Sequence, residues 1–489
     1  MRCIISKSDL TLRAVNVSAS FLDFVVCMRR GTSCGRVIRG DAVTGAECLF
    51  DGLADQPVPP AAGRGMPRLR QPERNQPGWQ IAALDDLVDR DHPVRAVWSF
   101  IGTLDLGSLD DAVRAREGVP GQAPPAPELM LALWLWATVD GVDSARQLDK
   151  LCGEHLAYRW LCGGVSMNYH TLADFRTAHG DVLERLLSEG VAALVAEGLV
   201  ALDVLAQDGI RVRAAAGAGS FRRRPRLAEL ASAAAVRVAR LREELGSDPA
   251  AGNRRRQAAQ QRAAREREER VKAALDRMSE LEAERARREK TNKHQTAKQQ
   301  QPRASTTDAQ ARTMKLADGG FRPAYNLQIV SAPASQVIVA VDIDSTGSDR
   351  GLARPALEGL AAGGTPPSDY LVDGGFTKND DIEWAHQSGI KLWCPPANSK
   401  HGSDPYAPRA DDKPGVADWR RRMASEPGKA LYKERAKAEC PNAWGRRMGL
   451  SRLLVRGKQK VRTVLLWFAL AHNMLRAFAL RRAAEVAAI

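Results

Sequence analysis

Nowhere among the 489 residues does an apolar run reach the roughly 18–20 residues of a helical membrane span. The richest run, VLLWFALAHNML, is short and carries His472 and Asn473, which predicts a core helix of a cytoplasmic protein with no membrane partner. A secretory leader layout is missing too, because Lys7, Asp9 and Arg13 interrupt any apolar stretch near the start. Paired C-xx-C units are absent. The 8 cysteines are scattered, with Cys3, Cys27, Cys34 and Cys48 in the first tenth of the chain, which argues against a disulfide framework or a zinc ribbon. Cys152, His155 and Cys162 lie near one another but lack a fourth ligand and a zinc spacing, so buried thiols are expected there. Acidic charge is in short supply: 72 Lys and Arg against 58 Asp and Glu leave a net +14, which fits a polyanionic partner such as nucleic acid.

A chain of this length holds two or three domains. Residues 1–74 show no sustained periodicity and run into QPVPPAAGRGMPRLRQPERNQPG. They read as a disordered arm or as a mis-assigned start, with Met28 or Met66 the true one, and no function is assigned to them. Residues 75–197 read as an all-α domain. Pro127 suits a first helical position ahead of LMLALWLWATV, and Ser144 and Gln147 have capping-box spacing. Short helices with Gly-containing turns suggest a helix-turn-helix-like DNA-binding module. Arg146, Arg159, His170, Thr171 and Arg176 are its candidate DNA contacts; a plain helical bundle is the alternative.

Residues 198–489 alternate strand and helix patterns, an α/β arrangement. LVALDVLAQD reads as the first strand, AYNLQIVSA and QVIVAVDIDST as a hairpin, GLARPALEGLAAG as a helix, DYLVD as a strand, NDDIEWAHQSG as a helix and IKLWCP as a strand. An insertion at 217–304 separates the first two strands. Within it, residues 221–300 carry 22 Lys and Arg and most of the net positive charge. Two apolar-periodic segments around GSDPAAGN predict an antiparallel helical hairpin, either an arm over DNA, a dimerisation element or a solvated structural feature.

The chemistry-bearing stretch is YKERAKAECPNAW, where Tyr432, Arg435 and Glu439 are spaced three and four apart and so share a helix face. Asp208 in LAQDGIRVRA and Asp373 in YLVDGGF each follow an apolar, strand-like run. Three carboxylates from two strands and a later helix suit two divalent ions acting on a phosphodiester. Gly374 and Gly375 allow a sharp turn after Asp373. Asp203, Asp342 and Asp344 are competing strand-associated acids.

On these residues the chain resembles the DDE insertion-sequence transposases with a Y-xx-R-xxx-E-xxxxxx-K signature, and most of all the insertion-sequence 1182 group of bacteria. The resemblance runs from about Asn75 to Ala483 through DGIRVRA, STTDAQARTMKLADGGFRPAYNLQ, LVDGGF, KERAKAECPNA and VRGKQKVRTVLLWFALAHNMLRA. It implies an RNase H-like mixed sheet with flanking helices. It also implies metal-dependent DNA cleavage and strand transfer, with Asp208, Asp373 and Glu439 as catalytic and metal-holding acids. Mg²⁺ is the implied ion, with Mn²⁺ as a substitute. Tyr432, Arg435, Arg446, Arg456, Lys458 and Lys460 are the implied DNA-binding residues. The partner would be double-stranded DNA, both element ends and target, met by a homodimer assembled on it at the nucleoid. Two positions depart from the pattern: Arg446 replaces the final Lys, and Ile210 stands where relatives commonly have Thr. Pro441 is expected to kink or end the helix after Glu439. A catalytically decayed or host-adopted DNA-binding descendant would show nearly the same residues. A coiled-coil structural protein would explain the insertion alone.

Overall fold

The computed structural model describes residues 83–113, 115, 123–247, 254–291, 301–397 and 404–488. The expected arm at 1–74, with Met28 and Met66, lies outside the described residues. The chain falls into two compact units, residues 1–93 and 94–489. The described part of the first holds a 3₁₀ turn at Leu84–Leu87, where Asp86 Oδ2 accepts the Ala83 N–H at 3.0 Å.

Helices α1 (Pro93–Ile101), α2 (Gly107–Asp111), α3 (Pro127–Val139), α4 (Ala145–Glu154), α5 (Leu156–Cys162), α6 (Tyr169–Ala178) and α7 (Gly180–Ala196) precede the first strand. Pro127 is the first residue of α3, as its fixed φ and missing N–H favour. Every residue from Leu129 to Thr138 is buried, as expected of a helix that is apolar all round. Ser144 accepts the Gln147 N–H at the start of α4, and Asn168 accepts the His170 N–H at the start of α6. Gly163 ends α5 at φ 55°, where a side chain would be strained.

One sheet follows. β1 (Val204–Arg213) pairs antiparallel with β5 (Phe321–Ala332), whose other edge is shared end to end by β4 (Arg312–Lys315) and β6 (Val337–Asp344). On its far side β1 pairs in parallel with β7 (Asp369–Leu371), and β7 with β8 (Lys391–Trp393). The hairpin, the two short strands and the helices between them, α10 (Ala353–Ala362) and α11 (Asn379–Gln387), lie where their apolar runs place them. The first strand does not. It starts at Val204 rather than near Leu199 and runs on to Arg213, so Asp208 stands in mid-strand and not at a strand end.

The insertion is a helical hairpin of α8 (Arg224–Ser247) and α9 (Arg254–Thr291), tied at its base by the short pair β2 (Phe221–Arg222) and β3 (Ala304–Ser305). Arg224, at the start of α8, meets Ser279 and Glu282 late in α9, so the helices are antiparallel. Leu227, Ala274, Met278 and Leu281 form its apolar seam. After β8 come α12 (Pro414–Ala424), α13 (Glu426–Lys433), a 3₁₀ segment (Glu434–Ala438), α14 (Glu439–Arg447) and α15 (Lys458–Ala487).

The VLLWFALAHNML run is indeed a core segment, inside α15. That helix is long and apolar enough to cross a membrane by composition, yet most of its apolar window is buried against protein. Its polar residues are used inside the fold. Asn473 accepts the Ile338 N–H at 2.8 Å and donates to the Ile338 carbonyl at 2.7 Å, pairing the backbone where the β5–β6 register shifts. Trp467 Nε1 donates to the Arg176 carbonyl at 2.9 Å, which ties α15 to α6.

Candidate active site

β1 and β7 lie side by side and in parallel, with Ala206 opposite Leu371. Asp208 and Asp373 each sit two residues beyond that pair, so the register brings the two carboxylates to the same end of neighbouring strands. They differ in setting. The Asp208 side chain is 16% exposed and the Asp373 side chain 40%.

Beyond β7 the chain turns through a 3₁₀ segment, Gly374–Phe376, capped by Asp373 itself: its Oδ1 accepts the Gly375 N–H at 2.7 Å. The two glycines are therefore not required for a left-handed backbone. At Gly375 a Cβ would stand 2.9 Å from Asp373 Oδ1, so a side chain there would make that carboxylate shift. Gly209 meets a similar demand on the opposite face of β1. A Cβ there would lie 2.6 Å from both Asp349 Oδ1 and Gln328 Nε2. Those atoms belong to a buried chain of hydrogen bonds: Tyr370 to Gln207 at 2.9 Å, Gln207 to Gln328 at 2.7 Å, and Gln328 and Asn326 to Asp349 at 3.0 and 2.6 Å. The alternation of the strand thus places an acid on one face and a polar brace on the other.

The third element arrives from the C-terminal half. Tyr432, Arg435 and Glu439 do not share one α-helix; they occupy the end of α13, the 3₁₀ segment and the first residue of α14. Pro441 accounts for the break. A proline inside a continuous α-helix would clash with the carbonyl four residues back, whereas in a first turn its missing N–H costs nothing. Pro441 therefore lies in the opening turn of a new helix and does not end the old one.

Arg435 is the hub. Its Nη2 lies 3.2 Å from Asp208 Oδ1 and 3.9 Å from Asp373 Oδ2, and its Nη1 3.3 Å from Glu439 Oε1. The Glu439 side chain is 66% exposed, so the acids range from a nearly enclosed Asp208 to a solvated Glu439. Tyr432 is half-buried and donates to the Val372 carbonyl at 3.2 Å, bracing the residue before Asp373. Burial pushes its phenol up to about 12, with Arg435 pulling the other way.

Asn442 was not among the expected site residues. One turn after Glu439 and only 7% exposed, it donates from Nδ2 to Asp208 Oδ2 at 2.7 Å. Its spacing of three from Glu439 in ECPNA was the available signal. Asp208 consequently accepts three bonds, from Arg435, Asn442 and the Gly209 N–H. Even so its pKa is raised from 3.8 to about 6. Burial is the largest cause, the neighbouring Asp373 adds to it, and Arg435, Gly209 and Asn442 oppose it.

The donor set, three carboxylates and an amide, is hard oxygen of the kind Mg²⁺ prefers. Asn442 Oδ1 is buried without a hydrogen-bond partner, as is Arg435 Nε. Among the described residues no three His, Cys, Asp or Glu side chains stand close enough to hold one ion as they are arranged, because Arg435 lies between the acids. The fit is therefore one of chemistry and of shared location rather than of a closed coordination shell.

The competing acids stand elsewhere. Asp203 is exposed ahead of β1; Asp342 is exposed on β6; Asp344 on the same strand accepts from Thr346 and lies 4.0 Å from Lys458 Nζ. Arg446, Arg456 and Lys460 are exposed, and Lys458 is half-buried. Among the helical candidates, Arg159, His170 and Thr171 are exposed, and Arg146 is exposed with its guanidinium over the Tyr169 ring at 5.0 Å. Arg176 is half-buried. It stacks on Trp134 at 4.7 Å, donates to the Asp143 carbonyl, and burial lowers its pKa to about 10. A cavity of about 920 Å³ opens on the Gln207 face of the sheet, between α7, α10 and β6; Asp342 lines it, whereas Asp208, Asp373 and Glu439 do not.

Residues 290–474 match the family described as Transposase DDE domain, and residues 82–178 match the Transposase domain (DUF772). The first match spans Asp373, Arg435, Glu439 and Asn442; Asp208 lies upstream of it, beyond the hairpin insertion. Comparison with curated proteins and with solved structures found no match. The two family matches support an insertion-sequence DDE transposase.

Proposed function

We propose that the protein binds the ends of an insertion sequence and catalyses metal-dependent cleavage and strand transfer of DNA, as a member of the insertion-sequence 1182 group. The observation that carries this reading is the convergence on Arg435 of Asp208 and Asp373, two residues past one paired step of adjacent parallel strands, and of Glu439 from a later helix. An RNase H-like core is supported by the strand order, three antiparallel neighbours (β6, β5, β1) followed by two parallel ones (β7, β8). Residues 75–197 serve as the all-α DNA-binding domain in this reading, and two copies assemble on double-stranded DNA.

Asp208, Asp373 and Glu439 would hold divalent ions, Mg²⁺ with Mn²⁺ as substitute. Such a pair, when bound, supplies activation of the attacking oxygen and stabilisation of the leaving oxygen. The chain's own residues do the rest. Asn442 and the Gly209 N–H fix the Asp208 carboxylate in one orientation. Tyr432 holds the end of β7 through Val372, and so places Asp373. Arg435 carries a planar, always charged fork into the centre, the group suited to a phosphate oxygen of the scissile strand. Arg446, Arg456, Lys458 and Lys460 provide positive charge for the DNA backbone.

The test is excision and strand joining of a marker flanked by the element's own ends, with wild type beside Glu439→Gln. Wild type excises in Mg²⁺, and the variant binds the ends without excising. Equal activity in both proteins contradicts the assignment of Glu439. Binding without cleavage in either identifies a decayed or host-adopted DNA-binding descendant.

A further inference from the structure

A second basic feature lies where the hairpin meets the start of α15. Arg267 and Arg270 of α9, Thr306 and Thr307 of the loop after β3, and Arg456 line a cleft of about 260 Å³. Its parts are held in place by hydrogen bonds. Ser305, fully buried, accepts the Thr307 and Asp308 N–H groups at 3.1 and 3.0 Å, while the Thr306 N–H donates to the Ser220 carbonyl at 3.1 Å. Gln310, a few residues on, accepts the Lys458 N–H at 2.7 Å and so fixes the backbone beside Arg456. The three guanidiniums therefore converge through tertiary structure, from segments far apart in the chain.

Their charge is poorly matched. Glu266 lies 3.8 Å from Arg270, and among the described residues Arg267 and Arg456 have no carboxylate partner. Nor has the Thr307 hydroxyl a hydrogen-bond partner among them. Converging cations beside a hydroxyl donor form a site for an anionic oxygen group. The volume falls below the roughly 300–1,000 Å³ of pockets that enclose whole small molecules. It suits one charged group of a larger ligand.

Position identifies that ligand. The segment leading to Arg456 starts beside the far end of β1: Arg452 bridges Arg213, whose carbonyl accepts the Leu453 N–H at 2.8 Å. Asp208 lies five residues back along the same strand. At about 3.4 Å per strand residue, about 4.8 Å across the bridge and at most ~3.6 Å per extended residue, the Arg456 backbone lies no more than about 36 Å from Asp208. A duplex at the acid centre therefore reaches it within about one turn. We infer that this cleft binds a backbone phosphate of the same double-stranded DNA whose strand enters the acid centre, with Arg267, Arg270, Arg456 and Thr307 as its contacts.

The inference rests on the reading of the protein as a DNA transposase and assigns the base of the hairpin insertion to DNA binding. Its test is the salt dependence of binding of full-length protein to a fluorescent duplex carrying one element end. Three proteins are compared: wild type, Arg267→Gln/Arg270→Gln/Arg456→Gln, and a control that removes equal charge from exposed hairpin positions, Arg237→Gln/Arg242→Gln/Arg265→Gln. Each phosphate contact contributes about 0.9 to the slope of log K against log salt. The cleft variant should lose about 0.9 from the magnitude of that slope, and the control less than about half as much. Arg456→Gln alone should give part of the loss, with an unchanged melting curve. Equal slopes for the cleft variant and wild type overturn the site, as do equal losses in cleft and control variants. Wild type that binds no DNA overturns the transposase reading itself, and the site with it.

Discussion

Replacing Asp208 by Asn tests the electrostatics of the acid centre without any ion or DNA present. Burial raises the Asp208 pKa from 3.8 to about 6 despite three hydrogen bonds. The folded protein therefore holds this proton more tightly than the unfolded chain does. As pH rises from about 4 through about 6, stability falls, and above that window the cost of the buried charge is fully present. The rise from 3.8 to about 6 corresponds to about 3 kcal/mol at most. Asp208→Asn lacks the charge and keeps the shape, so it should be the more stable protein at pH 7.5. Taking ~2.1 cal/mol/K per residue for the unfolding entropy of a unit this large, the gain is roughly 3 °C in Tm. The assay is a thermal melt of both proteins from pH 4 to 8 in EDTA. The gap should be near zero at pH 4, open through pH 6 and level off. A wild type more stable than the variant at pH 7.5, or a gap that does not change with pH, refutes the described setting of Asp208.

Gly209→Ala would push a methyl to 2.6 Å from Asp349 Oδ1 and Gln328 Nε2, and overpacking of this kind costs about 1–3 kcal/mol; denaturant unfolding should register that loss. His472 is buried with its Nε2 2.8 Å from the Gln336 carbonyl, and burial lowers its pKa to about 4. Here the unfolded chain takes up the proton first, so stability falls as pH drops from about 6.5 to about 4, and melts of His472→Gln should lose less over that window. Asn442→Ala removes the donor that fixes Asp208 Oδ2, and cleavage should slow at least about tenfold, ~1.4 kcal/mol, with end binding unchanged in anisotropy.

The strands of the catalytic half were legible because their β-branched, apolar runs are bounded by polar turns, as in QVIVAVDID and DYLVD. The end of β1 was not. In IRVR the apolar and basic residues alternate as in a half-buried strand, but Gly209 interrupts the run after Asp208, and pairing with β5 carries the strand across it to Arg213. Spacing put Tyr432, Arg435 and Glu439 on one helix face; the structure spreads them over two helices and the 3₁₀ segment between them, with Arg435 still 3.3 Å from Glu439. The break itself, and the new first turn that accommodates Pro441, depend on packing. Arg176 looked like any surface arginine of a polar helix. Its stacking on Trp134, brought from α3, is tertiary and leaves no local mark. Asn442 was visible in ECPNA, but only the structure shows its amide reaching a carboxylate on β1.

The most direct test of the account is strand cleavage by purified protein on a duplex carrying one element end, in Mg²⁺, with Asp208→Asn, Asp373→Asn, Glu439→Gln and Asp342→Asn beside wild type. Cleavage should be lost in the first three variants, which retain end binding, and kept in Asp342→Asn, whose exposed carboxylate lies on β6 away from Arg435. Cleavage surviving the loss of Asp208, Asp373 or Glu439, or vanishing with Asp342, would contradict it.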